Sequence, residues 1–348
     1  MGETATAAPA ELRFEFTGRT AEYFRIWAVS LCLSLATLGV YSAWGKVRKR
    51  RYLYAHTRLD GSGFDYRASP RAILRGRAIA LALFGGLALA GHFVPTMQLV
   101  LFALLVLLAP WIVVASSRFN ARSTTFRNVA FAFDGTVREA AKVLLGFGAI
   151  AIATAGIAWP WFRMRRARFI VEHHRFGATP FRADLEAGGF VLAYLLAFLM
   201  LVGVVTIVGV TVGIVSATTA TAGEAPPAFV VFAPVIAIYA AYLVAYAYLR
   251  ARVGNLTLDG TVVGALRGRS TLRARDLVWL YLGNVVAVLA TLGLAVPWVT
   301  IRMARYRAAK LALAGGANIA SFAAAAGAGA GAATGSEVGD LFDVDVSL

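Results

Sequence analysis

Seven apolar runs divide this chain, and clusters of Lys and Arg flank most of them. The runs cover residues 26–44, 78–94, 97–117, 143–162, 188–217, 228–249 and 277–301. A helix needs about 20 apolar residues to cross the hydrocarbon core of a bilayer, so runs of this length predict membrane helices. Apolar residues make up 59% of the chain, above the roughly 45–50% that is typical of soluble domains. Both features predict a polytopic membrane protein.

Four of these runs predict firm transmembrane helices, arranged as two hairpins. Runs 78–94 and 97–117 are joined through Pro95, and runs 188–217 and 228–249 through a loop that contains Glu224. Neither connection carries Lys or Arg, whereas the loop between residues 44 and 78 is strongly basic. Because short cytoplasmic loops collect Lys and Arg, the basic loops are predicted to be cytoplasmic and the two connections to face outward.

The other three runs, 26–44, 143–162 and 277–301, present a conflict. The second and third have cations on both flanks, so both of their ends favour the cytoplasmic side. Either these segments span the membrane against the charge rule, or they re-enter and return on the same side. Gly156, Gly293, Pro160 and Pro297 favour the return, since Gly permits helix-ending backbone angles and Pro interrupts a helix.

One sequence motif occurs three times, each time at the end of one of these three runs. It consists of Thr-x-Gly, a Trp seven residues after the Thr, and cations at fixed distances beyond. Its copies contain Gly39, Trp44, Arg48 and Arg51; Gly156, Trp161, Arg165 and Arg168; and Gly293, Trp298, Arg302 and Arg305. The three glycines are predicted to be hinges or turns.

Upstream of the motif, two short segments of alternating apolar and polar residues, 14–18 and 131–135, end in Gly. The first lies as far before Trp44 as the second lies before Trp161. A third such segment, 256–260, lies 12 residues too far from its Trp, which we interpret as a loop insertion. The pattern predicts repeat units at residues 1–125 and 126–250, a truncated unit at 251–322, and an Ala/Gly linker with an acidic tail at 323–348. The predicted fold class is all-α, with short cytoplasmic β-strands as an open addition.

The Trp and Arg residues of the motif have two interpretations. Trp prefers the headgroup level of a bilayer and Arg anchors to phosphates, so the motif can serve as a membrane anchor alone. Alternatively, Arg51, Arg168 and Arg305 converge around a pseudo-symmetric axis and bind an anionic ligand or a lipid headgroup. Fixed spacing is what favours the second interpretation over a solvated charge run.

Motifs for catalysis or metal binding are not apparent in the sequence. Cys32 is the single cysteine, and the four histidines lack the partners of a zinc site. We therefore predict no enzyme, no cofactor and no metal. The net charge is +16, but the cations adjoin apolar runs, so the predicted partners are anionic membrane lipids rather than nucleic acid. The sequence leaves open whether the chain forms a homo-oligomer.

Several segments resemble the YjgN family of bacterial inner-membrane proteins, whose activity is unknown. The resemblance rests on Phe14-x-Phe16-x-Gly18, Glu22-Tyr23-Phe24, residues 37–44, Arg51-Tyr52, residues 118–122 and Arg305-Tyr306-Arg307. It implies a multi-pass protein of the bacterial inner membrane and supplies no catalytic residues. The expected function is binding or transport of a small anionic or amphipathic molecule. The alternative is a non-catalytic scaffold or anionic-lipid-binding protein.

Overall fold

The computed structural model describes residues 11–94, 96–222 and 228–315. Within them, five successive segments each consist of a strand, a helical hairpin and a second strand. The first is β1 (Glu11–Phe16), α1 (Thr20–Ala36), α2 (Ser42–His56) and β2 (Thr57–Leu59). The second is β3 (Ser62–Tyr66), α3 (Pro70–Phe93), α4 (Thr96–Ser123) and β4 (Thr124–Phe126).

The remaining three segments follow the same order of elements. The third is β5 (Val129–Phe133), α5 (Val137–Ala141), a π-helical stretch (Lys142–Phe147), α6 (Gly148–Ala153), α7 (Trp159–Glu172) and β6 (His174–Phe176). The fourth is β7 (Thr179–Ala183), α8 (Ala187–Thr221), α9 (Ala228–Asp259) and β8 (Thr261–Val263). The fifth is β9 (Leu266–Ser270), α10 (Ala274–Ala290), α11 (Val296–Ala309) and β10 (Leu311–Ala314).

The strands form a closed antiparallel barrel, so the predicted all-α fold class is wrong. The order of the strands around the barrel is β1-β10-β9-β8-β7-β6-β5-β4-β3-β2, and the pairing of Glu11 with Ala314 helps to close it. The strands are only three to six residues long, and a run shorter than about four residues is too short for alternation to be recognised. In addition, the two strands of each segment are separated in sequence by a whole helical hairpin.

Apolar side chains fill the interior of the barrel. One cluster of packed side chains receives members from every strand: Leu12, Phe14, Leu59, Phe64, Phe126, Val129, Phe131, Phe176, Phe181, Val263, Leu266 and Leu313. Charged residues lie on the outside, where Arg267 pairs with Asp184 at 2.8 Å and Arg269 pairs with Glu11. The barrel is therefore a hydrophobic core and not a channel.

The five helical hairpins form a ring on one rim of the barrel. Tight turns connect successive segments, as at Asp60–Gly61. These turns lie at one rim of the barrel, and every helical hairpin extends from the opposite rim. The second helix of each hairpin (α2, α4, α7, α9 and α11, the return helices) packs against the first helix of the next hairpin. The ring closes because α11 packs against α1.

Two of the hairpins are long and three are short. In the described part of the chain, four helices are long and apolar enough to cross a membrane: α3, α4, α8 and most of α9. These are the four transmembrane helices predicted from the sequence. The short hairpins reach much less far, since α1 with its 17 residues is about 25 Å long at 1.5 Å per residue. Both arms of each short hairpin join the same barrel, as those of the long hairpins do. The re-entrant interpretation stays a prediction.

The Thr-x-Gly motif forms the tip of each short hairpin, with the same hydrogen bonds each time. The Thr37 hydroxyl donates to Leu33 O at 2.7 Å and accepts from the Tyr41 amide at 2.9 Å. The bonds at Thr154 and Thr291 are equivalent. Gly39, Gly156 and Gly293 have φ angles of 92°, 90° and 94°, which favour Gly because a side chain is strained there. The three glycines thus occupy turns.

The third alternating segment, 256–260, was misassigned from the sequence. Leu256 and Leu258 lie at the end of α9, and β9 occupies the position that corresponds to β1. The Arg273 amide donates to the Tyr306 hydroxyl, as the Arg19 amide donates to the Tyr52 hydroxyl in the first segment. Donor and acceptor are 33 residues apart in both pairs, so the first and fifth segments align without an insertion. The apparent 12-residue insertion therefore comes from aligning a helix end with a strand. The three-unit division stays a prediction, and residues 323–348 lie outside the described residues.

Candidate functional site

The predicted site residues lie on the three short return helices, α2, α7 and α11. In each helix, the Trp lies near the tip and the two Arg follow at spacings of four and three residues. On a helix these spacings place the three side chains on one face. The cations begin only after the tip, at Lys46, Arg163 and Arg302. Each short hairpin therefore has an apolar tip, and its positively charged end lies near the barrel.

Arg51, Arg168 and Arg305 do not come together around the axis; each contacts a different backbone carbonyl of the next segment. Arg168 Nη2 donates to Leu185 O at 2.7 Å, Arg51 Nε to Tyr66 O at 3.3 Å, and Arg305 Nη2 to Gly18 O at 3.3 Å. Because the last bond runs from the fifth segment back to the first, these side chains fasten the ring together.

Two residues outside the predicted site make the same kind of bond in the long hairpins. Arg118 donates to Gly135 O at 2.8 Å and Asn255 donates to Leu272 O at 2.9 Å. In both cases 17 residues separate donor and acceptor, as they do for Arg168 and Leu185. This constant spacing is the sequence signal that could have identified them. The bond of Arg118 is charge-assisted and stabilises by about 1.5–3 kcal/mol, whereas the neutral bond of Asn255 contributes about 0.5–1.5 kcal/mol.

The first Arg of each copy of the motif, at Arg48, Arg165 and Arg302, behaves differently. The Arg302 guanidinium lies 5.0 Å from the centroid of the Trp298 ring, and Arg165 lies 5.3 Å from that of Phe147. Arg48 is exposed, and Trp44 stacks on Tyr41 at 6.2 Å. The Trp161 side chain is 42% exposed. Arg302 therefore contacts an aromatic ring, and it also lines a cavity.

That cavity is a groove of about 590 Å³ between α10 and α11, beside the start of α1. Its polar and aromatic lining consists of Thr20, Asp276, Trp279, Trp298, Arg302, Arg305, Tyr306 and Lys310. Arg302 donates to Asn284 Oδ1 at 3.2 Å, which fixes its guanidinium between the two helices. Trp279 remains 66% exposed and Trp298 41% exposed, so a ligand can contact both rings.

The groove carries three cations and one acid. Lys310 Nζ lies 3.9 Å from Asp276 Oδ2, so the acid is shared with one cation. Tyr306 contacts the same carboxylate at 3.4 Å. Burial raises the pKa of Tyr306, and the nearby Asp276 raises it further, so the phenol stays a neutral hydrogen-bonding group. The excess of positive charge suits an anionic group, and the indole rings suit an apolar body attached to it.

The sequence did not identify Trp279, Asp276 or Lys310 as members of this groove. Asp276, Trp279 and Leu280 share a face of α10 by their three- and four-residue spacing, which was the available signal. The spacing alone does not say that this face meets α11.

Other aromatic and titratable side chains lie outside the groove. Tyr242 stacks on Tyr246 at 6.4 Å, and Tyr246 contacts Tyr281 at 5.7 Å, so these tyrosines line the α9–α10 contact. His174 packs edge-on against Phe133 at 5.0 Å, and burial lowers its pKa. Among the described residues, no group of three His, Cys, Asp or Glu is placed to hold a metal ion.

A family model described as "Bacterial protein of unknown function (DUF898)" matches residues 11–341. The chain belongs to this family. Among curated proteins, the DUF898-family chain is 32% identical over 126 residues to an inner membrane protein, YjgN, of Salmonella typhimurium. It is 29% identical over 131 residues to YjgN of Escherichia coli. Each alignment covers 36% of this chain and 32% of the relative. No solved structure matches.

These comparisons confirm the resemblance to the YjgN family. The relatives are named as inner-membrane proteins, and the chain has four helices of spanning length among its described residues. The protein is therefore a multi-pass protein of the bacterial inner membrane. The alignments cover about a third of the length of the curated relatives, and the family description assigns no activity.

Proposed function

We propose that this DUF898-family protein binds anionic phospholipids of the inner membrane in the groove between α10 and α11. The observation that carries the proposal is Arg302, held over Trp298 and beside Asn284 in a groove that also contains Arg305 and Lys310. A lipid phosphate would meet the cations, and its acyl chains would lie along the exposed apolar surface of the hairpin.

The exposed side chains of the short hairpins support this assignment. The tips of the short hairpins expose large apolar side chains: Leu38 is 96% exposed, Leu292 95% and Ile157 75%. Such side chains favour hydrocarbon, whereas the cations nearer the barrel favour headgroups. We infer that the short hairpins enter one leaflet and return, with the barrel on the cytoplasmic side. Arg302, six residues after α11 begins, then lies near the headgroup level.

Binding is a better fit to the geometry than passage of a molecule along the axis of the barrel. Every strand contributes apolar side chains to the packed interior, and the convergence of Arg51, Arg168 and Arg305 that passage was expected to use is replaced by bonds to backbone carbonyls. We therefore propose a non-catalytic role in binding or organising anionic lipid.

The test is an Arg302→Gln variant of the full chain, reconstituted in nanodiscs of phosphatidylcholine containing phosphatidylglycerol. Removing one charged hydrogen-bond donor costs about 1.5–3 kcal/mol, so we expect phosphatidylglycerol to bind at least tenfold more weakly. Lipid retained after detergent extraction, quantified by mass spectrometry, measures this.

Arg182→Gln is the matched control, because Arg182 is exposed on the outside of β7 and away from the groove. It removes the same charge and is expected to leave lipid retention unchanged. A folded Arg302→Gln protein that retains as much phosphatidylglycerol as the wild type would contradict the proposal.

A further inference from the structure

A second cavity lies where the first, second and fifth segments meet, against the filled interior of the barrel. It has a volume of about 360 Å³, which falls within the roughly 300–1,000 Å³ of typical small-molecule sites. Its floor includes Phe14 and Phe64 of the barrel core, and its walls come from the ends of α2 and α11 and from the first residues of β2, β4 and β10. We call this cavity the axial chamber.

One cation, Arg307, lines the axial chamber, and its side chain is half-buried. Within the described parts of the chain, the side chain of Arg307 makes no hydrogen bond, ion pair or ring contact. The other groove-side cations differ: Arg302 and Arg305 are hydrogen-bonded and Lys310 is paired with Asp276. Partial burial of a charge without a partner is costly, so Arg307 is poised for an anion.

The remaining polar groups of the chamber are consistent with an anionic ligand. The hydroxyls of Thr57 and Thr124 donate to carbonyls of the preceding helices, α2 and α4, at 2.9 and 2.8 Å. Tyr54 also lines the chamber, and no hydrogen bond of its hydroxyl is formed among the described residues. Among the residues that line the chamber, Arg307 and Tyr54 thus have hydrogen-bond donors that a bound group can use. Among the described residues, no carboxylate lines the chamber to repel an anion.

The surrounding field is also positive. One turn before Tyr54 on α2, Arg50 donates to Asn120 Oδ1 of α4 at 2.8 Å and to the Tyr66 hydroxyl at 3.2 Å. Arg50 is held in place by these bonds, so it contributes charge near the chamber without moving into it. A second cation close to an anion site strengthens binding through its potential.

We propose that the axial chamber binds an amphipathic anion, a carboxylate or phosphate monoester joined to an apolar body. The anionic group would be bound by Arg307 and Tyr54, since a guanidinium matches the two oxygens of a carboxylate or phosphate. The apolar body would pack against Phe14, Phe64 and Leu311. This site is separate from the lipid groove between α10 and α11 and does not depend on it.

Octanoate and octyl phosphate are suitable probes, with 1-octanol and octyltrimethylammonium as neutral and cationic controls of equal chain length. Thermal unfolding of the full chain in phosphatidylcholine nanodiscs measures binding, because a ligand that binds only the folded state raises the unfolding temperature. We expect a saturable rise with one or both anions and none with either control. The two anions also distinguish a carboxylate from a phosphate ligand.

Arg307→Gln is expected to weaken anion binding at least tenfold while leaving the unliganded protein as stable as the wild type or more so. Ala308→Leu, which fills the chamber and retains the cation, is expected to abolish the response as well and serves if the first variant does not fold. Arg182→Gln, which lies outside both cavities, is the control and should respond like the wild type. Arg302→Gln should keep a saturable response that Arg307→Gln loses, which separates this site from the lipid groove. No response to either anion, an equal response to 1-octanol, or an undiminished response in folded Arg307→Gln would overturn the proposal.

Discussion

Replacing Gly268 by Val is expected to prevent the barrel from closing. A Cβ at this position would lie 2.3 Å from Leu258 O at the end of α9, far inside van der Waals contact. The clashing atom is a backbone oxygen, which cannot rotate away as a side chain can. Gly268 also pairs with Leu313 in β10, next to the contact that joins the two ends of the ring. Overpacking costs typically 1–3 kcal/mol, and more where the backbone must move.

Most of the Gly268→Val protein should therefore be aggregated or degraded, as measured by size-exclusion chromatography of a fluorescent fusion. Ala130→Val is the matched control, since it places the same side chain at an exposed position in β5. We expect the control to elute like the wild type. Wild-type yield and elution of Gly268→Val would show that β9 does not approach α9 as described.

The second large effect is expected from Phe126→Ala in the barrel interior. Phe126 is 5% exposed, and its ring lies 4.8 Å from that of Phe64 and 6.3 Å from that of Phe176. Truncating a buried Phe to Ala costs about 3–5 kcal/mol, because it removes apolar contacts and leaves a cavity. We expect a loss of this size in the free energy of unfolding, measured by denaturant titration in detergent.

Phe198→Ala provides the comparison, because Phe198 lies on α8 and is 60% exposed. Its removal should change the stability by less than about 1 kcal/mol, as for most substitutions outside packed regions. A Phe126→Ala variant as stable as the Phe198→Ala variant would mean that the barrel interior is not packed, and would reopen the question of a path through it.

The helices were predictable from this sequence, whereas the barrel was not. Long apolar runs identified the four spanning helices, and Gly156 with Pro160 indicated that the intervening segments turn back. Strands such as β2, with three residues, offer too little pattern to be recognised. Their pairing is also non-local: β1 meets β2 only after the 40 residues of a helical hairpin and its connections, and meets β10 at the other end of the chain.

The site was predicted in part. The sequence identified Trp298, Arg302 and Arg305, which line one groove. As one of two interpretations, it also placed Arg51, Arg168 and Arg305 around one shared ligand, because fixed spacing distinguishes them from a solvated charge run. The ring explains the spacing differently, since each of these side chains bonds to the carbonyl of the next segment. Trp279 joins the groove only through the packing of α10 against α11, which sequence spacing does not reveal.

The central claim is that the groove between α10 and α11 holds an anionic phospholipid. The most direct measurement is an experimental structure of the full chain in nanodiscs of phosphatidylcholine and phosphatidylglycerol, at a resolution that shows lipid headgroups. We predict phosphate density at hydrogen-bond distance, about 2.7–3.2 Å, from the Arg302 guanidinium, with the headgroup beside Trp298. A groove closed by protein side chains, or ordered anionic lipid that consistently avoids Arg302, would contradict the proposed function.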